Sequence, residues 1–151
     1  IAVYGHNFSE SFASGVRQYA CENNLPLISI GYRNDWADEQ WLTADPFDFA
    51  YFMAKSQAVA TNFFHGCVFA LRNARPFVCE TTDYRSHKVS GLMKKIGAEK
   101  HLVREGSAAD VFTSMLSQPL AEGITRKIEE LRQTSDAYID RALKQKQVKY
   151  A

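Results

Sequence analysis

The sequence predicts an α/β fold: a Rossmann-like parallel sheet with helices on both faces. Three observations lead there. Short β-type runs at 1–4, 27–30, 58–61 and 77–79 alternate with segments whose apolar residues recur at helical spacing. Most connections between them are short, as strand–helix–strand crossovers require. The 151 residues, 46% hydrophobic and 23% charged, suit one compact domain with a real core.

Each element has a local cause. Residues 1–4 form an apolar strand closed by the turn cluster Gly5-His6-Asn7. A helix capped by Ser9 or Ser11 follows, with Phe12, Val16, Tyr19 and Ala20 on one face and Asn23, Asn24 and Pro26 stopping it. A second strand at 27–30 ends at Gly31. Residues 32–46 are polar and aromatic without a period and read as a long loop, of the kind that usually carries function. Asp45 caps the next helix, with Pro46 at its first position. A strand at 58–61, a short helix at 64–72, a strand at 77–79 and a helix at 87–96 stopped by Gly97 follow. Leu102 and Val103 make a short last strand, and 108–116 a helix. From 120 to about 146 a long amphipathic helix carries Ile124, Ile128, Leu131, Tyr138 and Ala142 on one face, a stripe expected to pack on the rest. Its basic end, Lys144, Lys146 and Lys149, complements the helix dipole.

Composition narrows the function classes. A net charge of +1 gives no global drive toward nucleic acid or an anionic membrane, so anion binding must come from a local cluster. The three cysteines, an odd count without a CxxC pair, argue against a disulfide framework or a zinc site and fit a reducing compartment. No apolar stretch is long enough to span a bilayer. The chain opens directly on a strand without Met, so an upstream segment is expected.

Parallel sheets bind ligands at the carboxyl ends of their strands. The expected rim is therefore His6 and Asn7, residues 31–35, 62–66 and 80–88. Asn62, Phe64, His65 and Gly66 lie where the third predicted strand becomes a helix, and a helix start offers free N–H groups and positive potential to an anion. Gly66 would let a ligand approach the backbone. Two readings of His65 stand: a proton donor or phosphate ligand near neutral pH, or a histidine that caps a carbonyl under the sheet edge. Two readings also stand for Arg85, His87 and Lys88: an anion pocket facing that helix start across a cleft, or a solvated loop whose Lys88 simply begins a helix, although a lysine there opposes the dipole. Trp36 and Trp41, with nearby carboxylates, offer a weaker sugar-binding surface. His65 and Cys67 are too little for a metal site.

The segment DPFDFAYFMAKSQAVATNFFHGCVFALRNARPFVC, followed by HKVSGLMKKIGA, resembles the carboxyl-terminal half of the polysaccharide pyruvyl transferase family. Its members share a small residue ending a helix, a short strand, a histidine-glycine motif, an apolar helix, a proline before the next strand and a lysine opening the following helix. Here these are residues 58–61, Phe64-His65-Gly66, Pro76 and Lys88. The run YACENNLPLISIGY is similar to the preceding helix and strand, so the likeness reaches to about Leu102. The resemblance implies two Rossmann-like halves in a GT-B-like arrangement, this chain being the second and a missing amino-terminal domain its partner. It implies pyruvyl transfer from phosphoenolpyruvate to two hydroxyls of a sugar in a bacterial surface polysaccharide precursor, forming a cyclic ketal. His65 would be the acid or a phosphate ligand. Asn62, Phe64, Gly66, Arg85 and Lys88 would hold the donor, without a metal or organic cofactor. The setting implied is the bacterial cytoplasm, at the inner face of the membrane. Two departures stand out: Phe63 replaces a polar residue two before the histidine, and the loop from Pro76 to Lys88 is longer than in many relatives. The rival readings are a glycosyltransferase of the same architecture using a nucleotide sugar, and a non-catalytic binding domain.

Overall fold

The computed structural model describes residues 1–81 and 86–148. Its elements are β1 (Ala2–Tyr4), α1 (Glu10–Glu22), β2 (Ile28–Ile30), β3 (Glu39–Trp41), α2 (Pro46–Lys55), β4 (Val59–Thr61), α3 (Phe64–Arg72), β5 (Phe77–Glu80), α4 (Ser86–Ile96), β6 (Leu102–Val103), α5 (Ala109–Ser117) and α6 (Glu122–Val148). The strands form one six-stranded sheet in the order β3-β2-β1-β4-β5-β6. Every pairing is parallel. Strand order reverses between β1 and β4, which makes the carboxyl ends of those two strands the topological switch point.

Both faces of the sheet are covered, so its central strands are apolar on both sides. One core joins Val59, Phe77 and Cys79 to Met53 of α2, Cys67 and Ala70 of α3, Met93 of α4 and Ile124 of α6. The other joins Val3, Ala60 and Val78 to Phe12 and Val16 of α1 and Phe112 of α5. Helices α3 and α4 thus begin side by side on the same face, above neighbouring strands. Two crossovers that step the same way across a parallel sheet must lie on one side of it.

The helix starts follow their caps. Asp45 accepts the N–H groups of Phe47 and Asp48 at 2.7 and 2.8 Å, Asp48 returns the bond to the Asp45 N–H, and Pro46 fills the first position. Ser9 caps α1, its hydroxyl accepting the Phe12 N–H at 3.2 Å. At the end of α1, Asn23 donates back to the Tyr19 carbonyl at 2.8 Å.

Two expectations require correction. Residues 32–46 are not one loop, because Glu39–Trp41 pairs with β2 as an edge strand. All three of its residues are exposed, so it has no apolar alternation to betray it. Nor does α6 bury its stripe to the end. Ile124 is buried and Ile128 and Leu131 pack against the first core, whereas Tyr138 is 67% exposed and Ala142 and Leu143 also face out. The helix is 27 residues, roughly 40 Å, and only its first turns meet the sheet's helical layer. Lys149 lies outside the described residues. No helix among those described is long and apolar enough to cross a membrane.

Candidate functional site

Two helix amino termini border the switch point, and their electrostatic states differ. The start of α1 is occupied by the chain's own carboxylate. Glu80, at the end of β5 and only 4% exposed, accepts the Ser9 N–H at 3.2 Å and also the Ser9 hydroxyl. A negative charge at that place satisfies the helix dipole and leaves it little to offer an external anion. Beside it lies a cavity of about 450 Å³ whose lining includes Asn7, Phe8, Glu80, Thr81 and Arg104.

The start of α3 is open. Its N-cap, Phe63, makes no side-chain capping bond. Among the described residues, the N–H groups of Phe64, His65 and Gly66 have no hydrogen-bond partner, and the first intrahelical bond runs from Cys67 to the Phe63 carbonyl. A helix start in that state, at a strand's carboxyl end, is suited to a phosphate or carboxylate.

The structure places the predicted residues as follows. His65 is exposed in the first turn of α3, its ring edge-on to Phe64, and it makes no hydrogen bond among the described residues. The reading in which it caps a carbonyl under the sheet is therefore excluded. Phe64 is half-buried, its ring packed against the first core. Gly66 is buried, and a side chain there would meet Thr61, with Oγ1 2.1 Å from the new Cβ. Glycine is thus required for helix α3 to close on β4, and the space beneath it belongs to Thr61. Asn62 is 7% exposed; its Nδ2 donates to the His6 carbonyl at 2.8 Å, while its Oδ1 is buried without a partner among the described residues. Lys88 is exposed in the first turn of α4, the helix next to α3 on the same face, and has no carboxylate partner among the described residues. His87 is exposed beside it. Arg85 lies outside the described residues.

Sequence reasoning missed how the end of β1 is held. The carbonyls of Tyr4, Gly5 and His6 each accept a side-chain hydrogen bond: from Thr61 Oγ1 at 2.6 Å, Asn34 Nδ2 at 2.9 Å and Asn62 Nδ2 at 2.8 Å. Asn34 is buried and also donates to Ser29 Oγ at 2.8 Å. A polar residue in an aperiodic loop gave no sign of this role. The same turn carries Tyr4 and His6 into contact with Tyr32 and Phe63. Burial and the neighbouring Tyr32 raise the Tyr4 phenol above the usual tyrosine range. The tryptophan surface does not form. Trp36 packs with Phe8 on the α1 side, whereas Trp41 packs with Phe52 of α2.

A second cavity, about 410 Å³, runs between the later turns of α3 and α4 and helix α6, lined by Leu71, Leu92, Ile96, Ile128 and Leu131. Its floor is apolar, Arg72, Arg132, Ser135 and Asp136 also line it, and it lies away from the carboxyl rim. No group of three or more His, Cys, Asp or Glu side chains among the described residues is placed to hold a metal ion.

No match was found among curated proteins. A family model, polysaccharide pyruvyl transferase, matches residues 2–84, more than half of the chain. The matched stretch takes in β1 to β5, the open start of α3 and His65, and ends before Lys88. The chain belongs to the polysaccharide pyruvyl transferase family.

Proposed function

We propose that this chain is a single Rossmann-like unit that binds phosphoenolpyruvate as the carboxyl-terminal half of a two-lobed, GT-B-like pyruvyl transferase. The observation that carries this reading is the exposed His65 on the uncapped start of α3, at the switch point of the sheet. The N–H groups of Phe64, His65 and Gly66 supply donors to an anionic group, Lys88 supplies positive charge from the next helix, and Arg85 is the second cation that the family resemblance assigns to the donor.

The chemistry then follows. The imidazolium of His65 gives its proton to the methylene carbon of the enol, which becomes a methyl group and leaves a cationic C2. One sugar hydroxyl adds to C2, and its proton restores His65. The second hydroxyl displaces phosphate, its proton leaving with the phosphate, and the two new C–O bonds complete the ketal. Fixed donors at the departing phosphate act where charge accumulates. The acceptor is a sugar of a surface polysaccharide precursor, in the bacterial cytoplasm at the inner membrane face, and a further lobe completes the cleft.

Calorimetric titration of the full-length protein tests this reading. Phosphoenolpyruvate is expected to bind saturably, with affinity falling roughly 10- to 100-fold in His65→Ala and in Lys88→Ala, as loss of a charge-assisted hydrogen bond predicts. Preference for a nucleotide sugar would refute it in favour of a glycosyltransferase. Binding of neither would favour a non-catalytic domain, the outcome that Phe63 in place of a polar residue makes worth testing.

A further inference from the structure

Four aromatic side chains from three strand ends meet at the switch point: Tyr4, His6, Tyr32 and Phe63. Ring centroids lie 5.1 Å apart for Tyr32–Phe63, 5.3 Å for His6–Phe63 and for His6–Tyr32, and 5.4 Å for Tyr4–Phe63. None of the four belongs to either core cluster. Tyr32 is 37% exposed and the other three are half-buried. Tyr4 also meets Phe49, which packs on the first core, at 4.5 Å, but no core contact accounts for His6, Tyr32 and Phe63, which stand at the carboxyl rim where ligands of such folds bind.

The cluster is also held rigid. Hydrogen bonds from Thr61, Asn34 and Asn62 pin the three successive carbonyls that carry Tyr4 and His6. Gly5, at φ +147°, leaves room for Asn62 and Phe8, which a side chain there would strike at 2.1 and 2.8 Å. A fixed aromatic surface loses little entropy on binding. Its rings are tipped by two phenol hydroxyls and an imidazole, so it joins apolar faces to hydrogen-bonding groups. A hydroxylated ring with an apolar C–H face matches that surface, with the C–H face against the aromatic rings and its hydroxyls on the polar tips.

We propose that Tyr4, His6, Tyr32 and Phe63 form a stacking subsite for one pyranose ring of the sugar substrate. The strand order places this wall on the β1 and β2 side of His65 and Lys88 on the β5 side, so sugar and anion lie to either side of the start of α3. Phe63 then marks a gain of sugar contact where a polar residue is expected. The inference rests on the reading above for the class of ligand.

Saturation-transfer difference NMR on the full-length protein, with methyl glucopyranoside, galactopyranoside and mannopyranoside as probes, tests it. Transfer to ring protons of at least one probe is expected, concentrated on one C–H face. It should fall about fivefold in Tyr32→Ala and in Phe63→Leu, the loss expected for one stacked ring, and stay unchanged in Trp41→Ala. Phosphoenolpyruvate affinity should be unaltered in Tyr32→Ala, and the melting temperature serves as the check on folding. No transfer from any probe to the wild type, or transfer equal in wild type and Tyr32→Ala, overturns the inference even if phosphoenolpyruvate binds. Tyr32-dependent transfer without phosphoenolpyruvate binding would support the sugar subsite and refute the donor assignment alone.

Discussion

Gly66→Ala separates two reasons for a glycine beside the histidine. A Cβ at position 66 would lie 2.1 Å from Thr61 Oγ1, 2.7 Å from its Cβ and 2.9 Å from its Cγ2, where ordinary contact begins near 3.4 Å. Thr61 cannot yield cheaply. It is fully buried, and its hydroxyl donates to the Tyr4 carbonyl at 2.6 Å and accepts the Phe63 N–H at 3.1 Å. Overpacking of this kind costs about 3 kcal/mol at the upper end of its usual range. Alanine returns about 1 kcal/mol through its better helix propensity. The net expectation is a loss of about 2 kcal/mol, or roughly 4–8 °C in melting temperature for a domain of this size. Urea and thermal denaturation of the variant measure it, and adding Thr61→Ala should recover about 1 kcal/mol relative to the sum of the single changes. If the glycine served only ligand approach, Gly66→Ala would stabilise the protein. That sign, or strict additivity of the pair, would refute the packing argument.

Three further predictions test other parts of the structure. Asn62→Ala leaves the half-buried His6 carbonyl without its donor and should cost about 1 kcal/mol in urea denaturation while loosening the turn that carries Tyr4 and His6. His101 is buried with Nδ1 against the Phe77 carbonyl at 2.8 Å; burial, aided by Lys100, holds its imidazole below the usual histidine range, with the carbonyl bond opposing. The unfolded chain therefore binds the proton first, so stability is full above about pH 6.5 and declines toward the lower folded value, by at most about 1.4 kcal/mol per pH unit from this group. The His101→Gln variant should lack that component when stability is followed from pH 7.5 to 5. Ile124→Ala should cost about 2–5 kcal/mol because Ile124 is buried in the first core, whereas Tyr138→Ala on the exposed half of the same helix should change stability by no more than about 0.5 kcal/mol.

What the sequence disclosed depended on whether a residue's role was local. Helix α3 and strand β6 were readable to the residue from pattern and burial, and Asp45 and Pro46 named the start of α2, where capping agrees with them. Strand β3 was not readable. Its three exposed residues owe their conformation to β2 alone. The stripe of α6 continues past Leu131 in sequence, yet periodicity cannot say where the neighbouring layer ends. At the site, His65 and the helix start followed from the strand-to-helix turn, but the reason for Gly66 lies in the Thr61 side chain beneath it. The aromatic wall joins residues up to 59 positions apart, from Tyr4 to Phe63, and only the parallel pairing of β2, β1 and β4 brings them together. Asn34 and Glu80 were equally silent, since a buried polar side chain is recognisable only through its partners.

The difference between the two helix starts also gives the account its sharpest test. Glu80 brings a carboxylate to the Ser9 N–H at the start of α1, whereas at the start of α3 the Phe63 N–H meets the neutral Thr61 hydroxyl and no carboxylate among the described residues. The most direct measurement is the amide ¹H–¹⁵N spectrum of the isotope-labelled protein titrated with phosphoenolpyruvate. Saturable downfield shifts are expected for the Phe64, His65 and Gly66 amides, with the Ser9 and Phe12 amides of α1 unmoved, and in His65→Ala the shifts of Phe64 and Gly66 should need roughly 10- to 100-fold more donor. Shifts centred on α1, or no shift at residues 64–66 under saturating donor, would contradict it.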